Sequence, residues 1–411
     1  MTVPREAEPS LETAEGRRDL LGIYRSGLLE DTLRFWFPRC VDREHGGFLH
    51  FLDRRGEVFD TDKSIWAQGR MSWLLLKLHA EVERRPEWLE WGLHGLGFLD
   101  RHGFDTDGRM FFHVTREGLP IRKRRYAYSE SFAAIAYAAA ARATGRQEYA
   151  ERARRLFRFF LQWNFEPGLA PPKFTATRPL IGMGPRMIGL VTAQELRSHL
   201  GPDPEWEAVI DRCIGEIRDR FVRPELEAVL ETVGADGEPS DHVDGRTLNP
   251  GHAIEGAWFI LEESRIRGCG ELRQLGCRML DWMWNRGWDQ EHGGLFYFRD
   301  VHGKPPQEYW HDMKFWWPHD EAIIATTLAW ELSGESRYAA WHGLVHDWAH
   351  RHFADPEHGE WFGYLHRDGT VSTPTKGNLW KSCFHHPRMQ LVCWQALERM
   401  CGEKGRSAGA S

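Results

Sequence analysis

Six short stretches of the chain concentrate polar, aromatic and ionisable residues. They read SIWAQGRMSW (64–73), YAYSESFAA (126–134), MGPRMIGL (183–190), LNPGHAIEGAWF (248–259), KFWWPHDEAI (314–323) and WKSCFHHPR (380–388). Within them stand His252, His385 and His386, the carboxylates Glu255 and Glu321, and the guanidiniums Arg70 and Arg388. Histidine, with an ordinary pKa of ~6.5, offers a neutral base and a protonated acid near neutrality. A fixed cation nearby can hold a developing oxyanion. Taken singly, each residue has a plainer use. Arg70 could sit in a buried ion pair. His252 follows Asn-Pro-Gly and could cap a turn, with Glu255 three residues on holding it. Glu321 could pair with Arg70 or Arg388, His319 and Asp320 could cap a helix, and Trp316 and Trp317 could be core. The recurrence of costly-to-bury groups at equivalent places favours a site. No HExxH, P-loop or GxGxxG motif competes. The histidines lack metal-like spacing with carboxylates on one helix, so no catalytic metal is expected.

The elements that must position these residues follow from a hidden repeat. DREHGGFLHFLDRRG from Asp42, DQEHGGLFYFRDVHG from Asp289 and DPEHGEWFGYLHRDG from Asp355 each read as a Gly turn, alternating aromatics and a second turn. That is a β-hairpin pattern. Degenerate copies begin at Asp105, at Glu166 in a Pro-rich form, and at Glu231, so the period is roughly 60 residues. Between the loops lie two helical patterns per unit. One is amphipathic, at 12–35, 86–101, 147–163, 203–220, 271–286 and 336–352. The other begins at the six polar stretches and then turns apolar on nearly all faces, which demands burial. One exposed and one buried helix in each of six units predict an all-α (α/α)6 toroid of twelve helices, with β-hairpins at one face. The starts of the inner helices then share one end of the ring and form one funnel-shaped pocket. Helix N-termini around it present free N–H groups and partial positive charge.

Composition agrees with a single domain over 1–411, with a core of about 12–402 and polar tails. The 411 residues are 41% hydrophobic and 27% charged, ordinary for a globular chain. A net charge of −7 argues against nucleic-acid or anionic-membrane partners. The absence of a long apolar run or leader pattern predicts no membrane span and no signal peptide. Seven scattered cysteines without a CxxC pair suggest reduced thiols in the cytoplasm. The 20 tryptophans suit both a core and sugar stacking.

NPGHAIEGAWF, MKFWWPHDEA, DPEHGEWFGYLHRDG and KSCFHHPR closely resemble the N-acylglucosamine 2-epimerase family, whose fold is an (α/α)6 barrel and which includes cellobiose 2-epimerases and aldose–ketose isomerases. The likeness runs from the first hairpin to the FHxPR segment. It implies His252 and His385 as the catalytic acid–base pair, with Glu255 beside the first and Glu321 as a site carboxylate. It implies Arg70 as a ligand of substrate oxygen. Tyr128, Trp66, Trp316, Trp380 and Arg388 complete the expected substrate contacts. His386 occupies the variable position of FHxPR and is expected to point elsewhere. Some members carry a third histidine on the third inner helix; GPRMIGLVTAQEL has none, as in the N-acylglucosamine branch. NPGHAIE and WWPHDEA look most like that branch, whereas Trp380 looks more like the cellobiose and mannose enzymes.

The implied activity is interconversion of N-acylglucosamine and N-acylmannosamine through ring opening and an enediolate. The alternative is 2-epimerisation or aldose–ketose isomerisation of unsubstituted mannose or glucose-type sugars. An (α/α)6 glycoside hydrolase ranks below both, because it leaves the inward histidines unexplained. No redox cofactor or metal is required. The branch includes enzymes that ATP activates without being consumed, so ATP is expected at most as an effector. The expected state is a cytoplasmic homodimer acting on a small sugar.

Overall fold

In a computed structural model of the chain, which describes residues 9–402, each pair of helical patterns becomes an antiparallel pair of helices. In chain order they are α1 (Ala14–Ser26), α2 (Ile65–Glu81), α3 (Pro86–His102), α4 (Tyr128–Thr144), α5 (Gln147–Phe165), α6 (Gly184–Leu200), α7 (Pro204–Glu216), α8 (Pro250–Arg267), α9 (Gly270–Gly287), α10 (Trp316–Ser333), α11 (Ser336–His352) and α12 (His385–Cys401). The odd helices are outer and the even helices inner. α1 runs on through a π-helical turn, Gly27–Thr32, to a last turn at Leu33–Trp36. Residues 1–8 and 403–411 of the expected 1–411 unit lie outside the described residues.

Burial follows the two patterns. α10 is buried without a break from Trp316 to Ala329, as an inner helix must be. α5 buries only the stripe Ala150, Ala153, Leu156, Phe157 and Phe160 and leaves its charges outside. Each inner helix turns back into the outer helix that follows it, and α1 closes the ring against α12. A Cβ at Gly69 would lie 2.9 Å from the Phe132 carbonyl carbon, so glycine lets α2 and α4 approach. The chain is an (α/α)6 barrel. Among the described residues no helix is long and apolar enough to cross a membrane.

The hairpins form at one mouth of the ring, but not all as expected. Units one, two and six close locally: Phe51–Leu52 with Val58–Asp60, His113–Val114 with Pro120–Arg122, and Tyr364–Leu365 with Val371–Thr373. The third does not. Its prolines, Pro171 and Pro172, lack the N–H groups a ladder needs, and Leu180–Gly182 pairs instead with Thr232–Gly234 of the fourth unit. In the fifth, Arg299–Asp300 pairs with Thr247–Leu248 ahead of α8.

The aspartates that open the three clear repeats are clasps between units. Asp42 binds Lys63 Nζ at 2.8 Å and Arg116 Nε at 2.9 Å. Asp289 binds Lys314 at 3.0 Å and Arg367 at 2.8 Å. Asp355 binds Lys376 at 3.2 Å and Arg54 at 2.7 Å. In each clasp the lysine is fully buried and the arginine comes from the next unit around the ring. Despite burial, Arg116 and Lys63 hold the Asp42 carboxyl well below its usual range. Arg54 does the same to Asp355.

Candidate active site

The inner helices start beside the hairpins, and in four of them a side chain near the start fastens the two together. Gln68 Oε1 accepts from the Phe48 N–H at 2.7 Å, Glu130 from Met110 at 2.8 Å, and His319 Nε2 from Leu295 at 2.9 Å. His386 occupies the same place in α12. Its ring packs on Trp361 at 4.0 Å, and its Nδ1–H donates to Asp320 at 3.0 Å. His319 and Asp320 therefore serve packing rather than capping. Two residues after each fastening position, the helix faces the axis with Arg70, Phe132, Glu321 and Arg388; Ile188 and Glu255 hold the matching places in α6 and α8.

These residues surround a cavity of about 710 Å³ at the hairpin mouth. Trp66, Arg70, Tyr128, His252, Glu255, Trp316, Trp380, His385 and Arg388 all line it. Glu321, fully buried, lies just behind the lining. His252 is placed by local sequence: Asn249 caps α8 by accepting from the His252 N–H at 3.1 Å, and Pro250 takes the first turn. His385 opens α12, where Pro387 lacks an N–H that would be unpaired anyway.

The two imidazoles are held alike but charged differently. His385 Nδ1–H donates to Glu321 Oε1 at 2.8 Å, and the other oxygen of Glu321 accepts from Trp258 Nε1 at 2.7 Å. The Nδ1–H of His252 donates to Glu231, at 3.1 and 3.2 Å. Each ring thus turns Nε2 away from its carboxylate. Trp317 packs against both rings, at 5.1 Å from His252 and 5.8 Å from His385. Burial and the Arg388 and Arg70 guanidiniums push the His385 imidazole well below the ordinary histidine range. Burial acts on His252 too, but Glu231, with Glu255 and Glu321 further off, raises that imidazole on balance.

Arg388 and Arg70 differ in the same way. One Arg388 nitrogen donates to Glu255 and Glu321 at 2.6 Å each. Glu255, Glu321 and His385 bring ligand atoms within 4.8 Å of one another, a spacing that would suit a cation. The Arg388 guanidinium already supplies the positive charge between those two carboxylates. Arg70 has no ion pair or hydrogen bond among the described residues. It lies 4.0 Å from the Phe132 ring and 4.5 Å from the Phe384 ring. Burial and Arg388 lower it to about 9, so its unspent donors face the cavity as a cation.

Two expectations change. The carboxylate on His252 is Glu231, not Glu255, which instead holds Arg388. Glu321 touches His385 and Arg388 rather than the open cavity. Glu231 was missed because it lies in a degenerate hairpin loop 21 residues before His252; only the repeat period brings that loop to the mouth. Tyr126, Tyr297, Trp310 and Asn378 also line the cavity from loops, and Tyr364 from the strand of the sixth hairpin.

A family model described as N-acylglucosamine 2-epimerase (GlcNAc 2-epimerase) matches residues 46–388. A curated relative from Bos taurus named N-acylglucosamine 2-epimerase is 35% identical, over 90% of this chain and 90% of that one. The relative of the same name from Mus musculus is 34% identical, over 93% and 94%. Among solved structures, the cellobiose 2-epimerase from Bacillus thermoamylovorans shares the fold with a TM-score of 0.80 at 19% identity, covering 93% of this chain and 100% of that one.

Proposed function

The chain belongs to the N-acylglucosamine 2-epimerase family, and on that basis we propose that it interconverts N-acylglucosamine and N-acylmannosamine by inverting C2 of the open-chain sugar. The observation that carries this is the pair His252 and His385, on different inner helices, each tied by Nδ1 to its own carboxylate beside one cavity. Inversion needs a proton removed from one face of C2 and returned to the other. C2–H is acidic only because the neighbouring aldehyde takes the negative charge, so an enediolate forms. His385, whose imidazole is pushed toward the neutral form, is the base, and His252, whose protonated form the neighbouring carboxylates favour, is the acid. After one turnover the proton has moved from one imidazole to the other, and the reverse reaction uses the exchanged states. Arg70 supplies N–H donors to the enediolate oxygen, a contribution of about 3 kcal/mol for one such donor. Trp66 and Trp380 offer ring faces to the sugar, and Trp316 backs His385 edge-on.

Glu231, Glu255, Glu321 and Arg388 act as positioning residues. Aldose–ketose isomerisation would use the same bases and differ in returning the proton to C1. In this proposal the enzyme is a cytoplasmic homodimer that needs no cofactor and takes ATP as an effector. The unpaired state of all seven cysteines supports a reducing compartment. Sedimentation with and without ATP tests assembly and effector together.

Incubation with N-acetylmannosamine or mannose in D2O, followed by NMR, tests the proposal. The expected result is an epimeric N-acetylated aldose with deuterium at C2. A ketose product, or turnover of mannose alone, would overturn it.

A further inference from the structure

Each of the six inner helices turns one residue toward the axis here, five of them lining the cavity and Glu321 standing just behind the lining, and that ring is chemically divided. Going round it, α8, α10, α12 and α2 contribute Glu255, Glu321, Arg388 and Arg70. The remaining two, α4 and α6, contribute Phe132 and Ile188. The charged arc stands with the two histidines: Arg388 binds Glu255 and Glu321, and Glu321 holds His385. The apolar arc has no role in proton transfer, yet Phe132 and Ile188 both line the same cavity and Ile188 is only partly buried. One polar atom borders this arc. A Cβ at Gly184, one turn before Ile188, would lie 3.0 Å from the Tyr128 hydroxyl. That hydroxyl has no hydrogen-bond partner among the described residues, while its ring packs on Tyr126 at 4.4 Å.

We propose that Phe132, Ile188 and Tyr128 form the subsite for the acyl group on the C2 nitrogen, with Ile188 setting which acyl chains fit. This rests on the N-acyl reading above and extends it to the chemistry of the substituent. An acetamido group has one carbonyl acceptor and one methyl. The Tyr128 O–H donates to the carbonyl, and the methyl packs on Phe132 and Ile188. A hydroxyl at the same carbon is too short to reach this wall and leaves the Tyr128 donor unpaired, which disfavours the unsubstituted sugar.

The test measures kcat/KM for N-acetyl-, N-propanoyl- and N-butanoylmannosamine and for mannose. Ile188→Ala should move the optimum from acetyl to a longer chain. Ile188→Asn should lower kcat/KM for N-acetylmannosamine about 10- to 200-fold and leave mannose unchanged or improved. Tyr128→Phe should weaken every N-acyl substrate by a larger factor than it changes mannose. If wild type turns over N-acetylmannosamine but the Ile188 variants change it and mannose by the same factor, or the chain-length optimum stays put, the subsite is elsewhere. If wild type exchanges C2 only in unsubstituted sugars, the N-acyl reading itself falls and takes the subsite with it.

Discussion

His385 and His386 are adjacent in the chain and opposite in use. His385 faces the cavity from the start of α12, while His386 is sealed against Trp361 and Asp320. His385→Asn should cut kcat by about 10²- to 10⁴-fold while the protein stays folded. His386→Asn should lower the thermal midpoint and leave kcat/KM within a few-fold. Calorimetry and NMR assays on both variants check this, and the opposite outcome would reverse the assignment. Glu231 is tested by pH. Its carboxylate raises the folded His252 pKa, so the proton that His252 carries is kept to higher pH than in an ordinary histidine. Glu231→Gln should move the alkaline limb of kcat/KM to lower pH and leave the acidic limb nearly in place; an unmoved alkaline limb would mean Glu231 only shapes the loop. The histidines, Arg70 and Arg388 were legible because they open inner helices. Glu231 was not, because a carboxylate in a loop carries no periodic signal and meets His252 only after the ring closes.

At the scale of elements, the hairpin turns are joined to their neighbours by buried charge. A lysine with no exposed side-chain surface can remain charged only against a well-held carboxylate. Lys376→Met should therefore cost about 3–5 kcal/mol, read from urea denaturation, because Asp355 loses its buried partner. A loss below ~1 kcal/mol would show the clasp to be dispensable. The three aspartates titrate below their unfolded value, so their contribution is complete above about pH 4 and fades as pH falls through the depressed range. The sequence showed the repeating Asp, the Gly turn and the alternating aromatics. It did not show the lysine and arginine partners, which stand at 21 and 74 residues from Asp42 and at 21 and 301 from Asp355. The third hairpin departs from the pattern because Pro171 and Pro172 cannot donate to a local ladder, although the segment carries turn residues.

For the whole molecule, the alternation of amphipathic and all-apolar helices was enough to predict the ring, since only an enclosed set of helices can be buried on every face. What the pattern could not supply was the division of the cavity floor, which depends on which single residue each inner helix turns toward the axis. The closure itself has a consequence for chain connectivity. Arg54 of the first unit grips Asp355 of the last just as Arg116 and Arg367 grip the units before them, and α1 packs on α12. Since outer helices run toward the hairpin mouth and inner helices away from it, Ala14 and Cys401 emerge together at the far end. The junction between the last and first units is thus held by the same kind of clasp and helix packing as the junctions at Asp42 and Asp289. A circularly permuted chain, with Cys401 linked to Ala14 by a short flexible peptide and new termini in the exposed 166–178 loop, should fold to the same ring and stay active.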